Sequence, residues 1–200
     1  MRIPLHLKPP FPSPGFQLSD YYSTIIADPT IVLSEMWAQY CHDRLFHTDI
    51  FHMPLIPALS HHALHLAKYL GILTETEDAV ELETRMVDTL STTLSMLGRL
   101  NVRIAPLKET AVLTPKEYRQ TYTALVAAIA KSMEHAQHTS TIDLMIVESL
   151  SDLHQHTFSL LRASGCGMPY DALMIRRRII QHRSIFSSQL IRQYNADQDI

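Results

Sequence analysis

Hydrophobic residues recur every three or four positions along most of the chain, and this spacing is typical of amphipathic helices. In the segment 81–102, ELETRMVDTLSTTLSMLGRLNV, leucine or methionine stands at positions 82, 86, 90, 94 and 97. The strict apolar–polar alternation of half-buried strands is nearly absent. The pattern predicts helices over 31–47, 58–75, 79–101, 116–137, 141–164 and 171–194. We therefore predict an all-α fold, a bundle of five or six helices.

Local signals between these ranges support the helix boundaries. Pro54 and Pro57 precede the second helix, and Thr114-Pro115 places an N-cap residue before a proline at the first helical position. Five of the eleven prolines lie in the first fourteen residues, which is typical of an extended arm. We predict a Pro-rich arm over 1–16, one all-α domain over 17–194 and a polar tail over 195–200.

A weak internal repeat is visible when the sequence is shifted by 64 residues. The matched residues are Met86, Asp88, Thr93, Ser95 and Leu97, which fall on Leu150, Asp152, Thr157, Ser159 and Leu161. Two amphipathic helices also align to some extent by chance. The domain would therefore be either a tandem duplication with repeats at 31–104 and 116–194, or a bundle of helices with unrelated origins.

Composition narrows the classes of function. A net charge of −3 gives no general electrostatic reason to expect a nucleic-acid partner. The chain has only five glycines and contains neither a dinucleotide-binding fingerprint nor a P-loop. No apolar run approaches the roughly 20 residues that span a bilayer. Two cysteines, Cys41 and Cys166, are too few for a disulfide scaffold, so we predict a soluble, cytoplasmic protein with free thiols.

Asp88 is the unusual residue of the helix at 81–102, because it borders the apolar stripe and is followed by Ser91, Thr92 and Thr93. It is either an exposed carboxylate on a structural helix or the remnant of a metal site. The segment HHALHLAKYLGILTETEDAVELETRMVDTLSTTLSMLGRLNVRI resembles the MazG-like superfamily of all-α NTP pyrophosphohydrolases. Upstream, EMWAQYCHDRLFHTDIFHMPLIPAL is similar to the first helix and loop of its phosphoribosyl-ATP pyrophosphohydrolase-like members.

The resemblance covers roughly 35–104, with a fainter match over 118–185, and it implies a Mg²⁺ site. In the family, an E-x-x-E pair and an E-x-x-D pair hold Mg²⁺, which bridges the substrate phosphates while water attacks. Hard oxygen ligands suit Mg²⁺, and the metal offsets charge that develops on the phosphates. The family also dimerises, and a duplicated chain would form an internal pseudo-dimer instead.

The first copy departs from this pattern. Its E-x-x-D position is Arg85-Met-Val-Asp88, while Lys68 and Ile72 stand where acids belong. A cationic residue at these positions repels a divalent cation. Arg85 lies three residues before Asp88, and this spacing predicts a direct ion pair that neutralises the aspartate without a metal.

The second copy keeps more acids. Ser149-Leu-Ser-Asp152 retains the aspartate, Glu148 shares a helix face with it at i, i+4, and Glu134 is an acid near the end of the preceding helix. The resemblance makes Glu134, Glu148 and Asp152 candidate Mg²⁺ ligands, with Asp88 as a further ligand. If they share a metal, their carboxylates should converge.

The arginine run 176–178 lies in MPYDALMIRRRIIQHR, which resembles the closing basic helix of the family. Three successive arginines cannot all face one partner, and arginine forks suit phosphates. The resemblance makes Arg178 and Arg183 candidate phosphate contacts, although a solvated face also explains them. The isoleucine and leucine positions predict the buried side of this helix: Ile175, Ile179, Ile180 and Leu190.

Twelve histidines are the remaining unusual feature. His61 and His65 stand at i, i+4, and His135 and His138 at i, i+3, which are spacings that can bind a transition metal. His42-Asp43 resembles the metal-binding pair of HD-domain phosphohydrolases. Exposed or interface histidines explain the same residues without a metal.

Three functions follow from these patterns. The first is a degenerate MazG-like helical protein that binds a nucleotide or acts as a scaffold without a full catalytic site. The second is a Mg²⁺-dependent pyrophosphohydrolase of nucleoside triphosphates. The third is an unrelated helical interaction protein. The number of acids at the helix junctions favours a protein without catalysis.

Overall fold

The computed structural model describes residues 31–102, 112–165 and 168–182, and this part of the chain contains helices and no strand. The helices are α1 (Ile31–Phe46), α2 (Thr48–Phe51), α3 (Leu55–Glu75), α4 (Ala79–Arg99), α5 (Pro115–Thr139), α6 (Leu144–Ala163) and α7 (169–182). The predicted all-α bundle is confirmed. The arm 1–16, the tail 195–200 and the predicted helix beyond 182 lie outside the described residues.

Three helix starts differ from the prediction by two or three residues, and a proline occurs at two of them. α6 begins at Leu144 rather than at 141. α3 begins at Leu55 rather than at 58, and Pro57 lies inside its first turn. α7 begins with Pro169 rather than at 171. A proline in the first turn removes an N–H that has no partner within the helix, so these prolines start helices instead of preceding them. The four-residue α2 is too short for a periodic pattern to predict it.

Side-chain caps begin the three long helices from α4 to α6. The Asp78 side chain accepts from Val80 N, and the Asp143 side chain accepts from Ile146 N. Thr114 and Glu117 form a reciprocal capping box at the start of α5. This box lowers the pKa of Glu117, because both the hydroxyl and the backbone N–H of Thr114 donate to its carboxylate. Polar turns and the proline signal at 115 therefore have the local role that the sequence predicts.

The four long helices α3 to α6 form the bundle. α3 packs against α4 and α5, and α6 packs against the same two helices, so the spatial order around the core is α3, α4, α6, α5. Leucine and isoleucine side chains with no exposed surface fill the centre: Leu59, Leu66, Leu90, Leu94, Leu97, Ile129, Leu150 and Leu161. The segments of the proposed repeat lie on the neighbouring helices α4 and α6.

Hydrogen bonds that involve side-chain hydroxyl groups connect the helices of the bundle across the core. Thr89 Oγ1 lies 2.9 Å from the Tyr122 hydroxyl, and the Tyr118 hydroxyl lies 2.8 Å from Thr157 Oγ1. His154 is completely buried, with Nδ1 2.9 Å from Thr93 Oγ1. These pairs satisfy buried polar groups that would otherwise destabilise the core.

α1 and α7 pack on the outside of this bundle. α1 contacts α4, and Tyr170 of α7 bonds to His154 of α6 through its hydroxyl, 3.0 Å from Nε2. The inward side of α7 is formed by Tyr170, Leu173 and Arg177.

The predicted buried side of α7 is wrong. Ile175 and Ile179 are 55% and 40% exposed, Ile180 is partly exposed, and Leu190 lies outside the described residues. Arg177 lies on the inward face because polar side chains on α1 accept hydrogen bonds from its guanidinium. None of the helices described is long and apolar enough to cross a membrane.

Candidate functional site

Asp88 on α4 is buried and held by two arginines. Arg85 Nη1 donates to Oδ2 over 2.9 Å, which confirms the predicted i, i+3 pair. Arg176 of α7 donates from Nε to Oδ1 over 2.7 Å and from Nη2 to Oδ2 over 3.0 Å. Both carboxylate oxygens therefore accept from a guanidinium, and one of the two arginines binds in the bidentate geometry that suits a carboxylate.

Glu81 completes this group at the N-terminal end of α4. Arg85 Nε donates to Glu81 Oε1 over 2.8 Å. Arg85 therefore bridges two carboxylates, that of Glu81 one turn before it and that of Asp88 one turn after it. The four side chains of Glu81, Arg85, Asp88 and Arg176 carry two negative and two positive charges, and we call them the Asp88 cluster. Hydrogen bonding to Asp88 raises the pKa of Arg176.

A second arginine of α7 enters the interior beside this cluster. Arg177 is 2% exposed; its Nη1 donates to Glu35 Oε2 over 2.7 Å and its Nε donates to Gln39 Oε1 over 2.8 Å. Gln39 Nε2 in turn donates to Asp43 Oδ1 over 2.8 Å, and Ser95 Oγ of α4 donates to Asp43 Oδ2 over 2.6 Å. The chain of bonds therefore connects α7, α1 and α4.

Burial sets the titration of the acids in this second network. Burial raises the pKa of Glu35, and the charge of Arg177 acts in the opposite direction. Burial also raises the pKa of Asp43, which the hydrogen bonds from Ser95 and Gln39 oppose. The pattern of hydrophobic positions did not predict that Glu35, Gln39 and Asp43 form a group. Their signal was the spacing of four, because i, i+4 and i+8 place all three on one face of α1.

The structure places the predicted Mg²⁺ ligands of the second copy on the surface. Glu134, Glu148 and Asp152 are all exposed. Across the described ranges, no group of three or more histidine, cysteine, aspartate or glutamate side chains is arranged to hold a metal ion. Glu148 and Asp152 share a helix face, as predicted, but the inward side of α6 is the one that carries Ile146 and Leu150.

The structure describes one of the two predicted phosphate contacts. Arg178 is exposed, and Arg183 lies outside the described residues. The three successive arginines have three different environments, since Arg176 binds Asp88 and Arg177 binds Glu35. The arginines that make defined contacts are therefore the two that the resemblance did not select.

A small cavity lies between α1, α2, α3 and α4. It has a volume of about 20 Å³, and its polar lining comes from Asp43, His47, His62, Ser95 and Arg99. Since one water molecule needs roughly 10–15 Å³, this space suits water and is far too small for a nucleotide. Arg99 holds α2 against the bundle by donating to the backbone oxygens of Phe51 and Met53 over 2.9 and 2.6 Å.

Burial lowers the pKa of two histidines in this region, His42 and His62. Burial lowers the pKa of His62 to about 3, with the neighbouring His61 acting in the same direction. Burial also lowers the pKa of His42 to about 3, and Arg177 contributes to this shift. His42 stacks beside Phe46 and His47, with ring centroids 5.2 and 5.4 Å away. His42 therefore lies among aromatic rings.

No protein-family model matches this chain, and no curated protein or solved structure shows significant similarity to it.

Proposed function

We propose that this protein is a helical binding or scaffold protein that keeps a MazG-like helix arrangement without the metal chemistry of that superfamily. One observation carries the proposal: the carboxylate that corresponds to a metal ligand, Asp88, accepts hydrogen bonds from two arginines at both oxygens. In this account the guanidinium groups have the electrostatic role that Mg²⁺ has in the family. The helix junction is then stabilised by protein groups alone.

Charge supports this assignment. The Asp88 cluster is already neutral, with two carboxylates and two guanidinium groups in contact. A divalent cation at Asp88 would have to displace at least one arginine and would then lie beside two positive charges. Mg²⁺ also gives up its water ligands reluctantly and needs several oxygen ligands in octahedral geometry. Asp88 therefore makes a poor metal ligand in this environment.

In the proposed binding role, an apolar pair on α7 contacts another protein. Ile175 and Ile179 lie one turn apart on this helix, and both are exposed. A homodimer, a nucleotide ligand and a cytoplasmic location are the finer parts of this proposal.

Pyrophosphate release tests the proposal against the enzymatic alternative. The protein is incubated with a panel of ribonucleoside and deoxyribonucleoside triphosphates in the presence of Mg²⁺ or Mn²⁺, and pyrophosphate is measured. We expect no release above that of the buffer, because the described acids form no metal group. A known pyrophosphohydrolase serves as the positive control for the assay.

Two variants give the experiment a clear contrary outcome. Metal-dependent release that disappears in Glu148→Gln or Asp152→Asn, with the fold unchanged by circular dichroism, would contradict the proposal and support the Mg²⁺-dependent hydrolase. Release that is equal in the wild-type protein and both variants indicates a contaminating activity, which repurification removes before the assay is repeated.

A further inference from the structure

Two histidines on α3 face each other one turn apart. The ring centroids of His61 and His65 are 4.7 Å apart, and both side chains are partly buried. Two Zn–N bonds of about 2.0–2.1 Å at a tetrahedral angle would place the ring centres roughly 5 Å apart. The observed separation therefore fits two imidazoles that bind one ion.

The coordinating nitrogen of His61 is available. His61 Nε2 is buried and has no hydrogen-bond partner among the described residues. A buried polar atom without a partner is rare in proteins, and one explanation for it is a bound ion. This atom differs from the nitrogens of an ordinary core histidine such as His154, whose ring is bonded on both sides.

A hydrogen bond orients the second ring. His65 Nδ1 lies 3.1 Å from the Tyr69 hydroxyl. The tautomer in which His65 Nδ1–H donates to the Tyr69 oxygen leaves the lone pair of His65 Nε2 free, and metal-binding histidines have this arrangement. The site proposed below requires that tautomer.

We propose that His61 and His65 form a two-histidine site for a divalent transition-metal ion of the Zn²⁺, Cu²⁺ and Ni²⁺ class, with water in the remaining coordination positions. The proposal rests on the geometry of α3 and is independent of the proposed function at Asp88. It explains the spacing of His61 and His65, which the function proposed for Asp88 does not explain.

The chemistry of the site favours this class of ion. Neutral imidazole nitrogen suits Zn²⁺, Cu²⁺ and Ni²⁺, whereas Mg²⁺ and Ca²⁺ need oxygen ligands. Lys68 lies one turn after His65, and its positive charge disfavours cations that are held by charge alone. Coordination bonds to the imidazole nitrogens must therefore supply the affinity.

Cu²⁺ binding to the tag-free, full-length protein tests the proposal. Binding is measured by competition with a chromophoric chelator, and the number of nitrogen ligands is determined by electron paramagnetic resonance. We expect one bound ion with two imidazole nitrogens. His61→Gln and His65→Gln should each weaken binding at least tenfold and remove one nitrogen from the spectrum.

His138→Gln is the matched control, because it removes a histidine from the exposed pair at His135 and His138. This variant should leave the affinity unchanged. Folding of each variant is checked by circular dichroism. In the wild-type protein, Zn²⁺ should also shift the imidazole ¹⁵N resonances of His61 and His65, a measurement that requires no substitution.

The proposal is overturned by any of three results. The first is no binding of Cu²⁺ or Zn²⁺ to the wild-type protein. The second is binding that survives in both His61→Gln and His65→Gln. The third is binding whose strongest loss occurs in His138→Gln.

Discussion

Replacing Arg177 by methionine is expected to lower the free energy of unfolding by about 3–5 kcal/mol. The guanidinium is buried between α7, α1 and α4, and its removal leaves the Glu35 carboxylate buried without an ion-pair partner. It also leaves Gln39 Oε1 without its donor. Methionine fills much of the arginine volume, so the loss reports on charge more than on a cavity. Urea denaturation monitored by circular dichroism measures the change.

A double variant distinguishes the ion pair from packing. Glu35→Met combined with Arg177→Met removes both charges, and replacing a buried pair by apolar groups is often neutral or stabilising. We expect the double variant to recover most of the stability that the single variant loses. If Arg177→Met costs less than about 1 kcal/mol, or if the double variant is less stable than the single one, the buried ion pair does not hold α7 in place.

Lowering the pH from 7 to 5 is expected to destabilise the protein strongly. The pKa values of His42, His62 and His154 are lowered from 6.5 to about 3, with burial as the largest cause in each case. The unfolded chain therefore binds more protons than the folded protein between pH 6.5 and about 3. Stability is fully present above pH 6.5 and is lost as the pH falls, by up to about 1.4 kcal/mol per pH unit for each histidine.

The buried carboxyl groups act in the opposite direction. The pKa values of Glu35 and Asp43 are raised, so these groups bind protons more tightly in the folded state and gain stability as the pH falls through their folded pKa values. His154→Gln isolates the histidine contribution, because it removes one titrating ring. Its stability should fall less steeply with pH, by about one proton, when urea unfolding is measured at a series of pH values. An unchanged slope would contradict a buried neutral His154.

The fold could be predicted from the sequence because local signals set each helix. The apolar spacing of α4 gives its length and inward side, and Thr114-Pro115 marks the start of α5. These signals depend on neighbouring residues and on the helical period alone. The predicted starts of α3 and α7 were two or three residues too late. In the sequence, a proline inside the first turn of a helix cannot be distinguished from a proline that precedes the helix.

The orientation of α7 could not be predicted from hydrophobicity. Isoleucines at 175 and 179 suggest a buried face, yet Arg177 is the side chain that enters the interior. An arginine is buried only where partners for its donors exist, and those partners are on α1, more than 130 residues earlier in the chain. The polar spacing of Glu35, Gln39 and Asp43 signals a polar face but does not identify the helix that meets it.

Only the local contact of the Asp88 cluster could be predicted from the sequence. Arg85 and Asp88 are three residues apart on one helix, so their contact follows from helix geometry. Arg176 reaches Asp88 only through the packing of α7 on α4. Glu134, Glu148 and Asp152 were chosen from a family pattern, and the phase of α5 and α6 leaves them exposed.

Titration with Mn²⁺, followed by electron paramagnetic resonance, tests most directly whether arginines take the place of a divalent metal at Asp88. The wild-type protein should take up no Mn²⁺ at this position, so the signal of the free ion should rise in proportion to the added metal, and the same rise is expected for Asp88→Asn. Stoichiometric uptake of Mn²⁺ by the wild-type protein that is lost in Asp88→Asn would contradict the account.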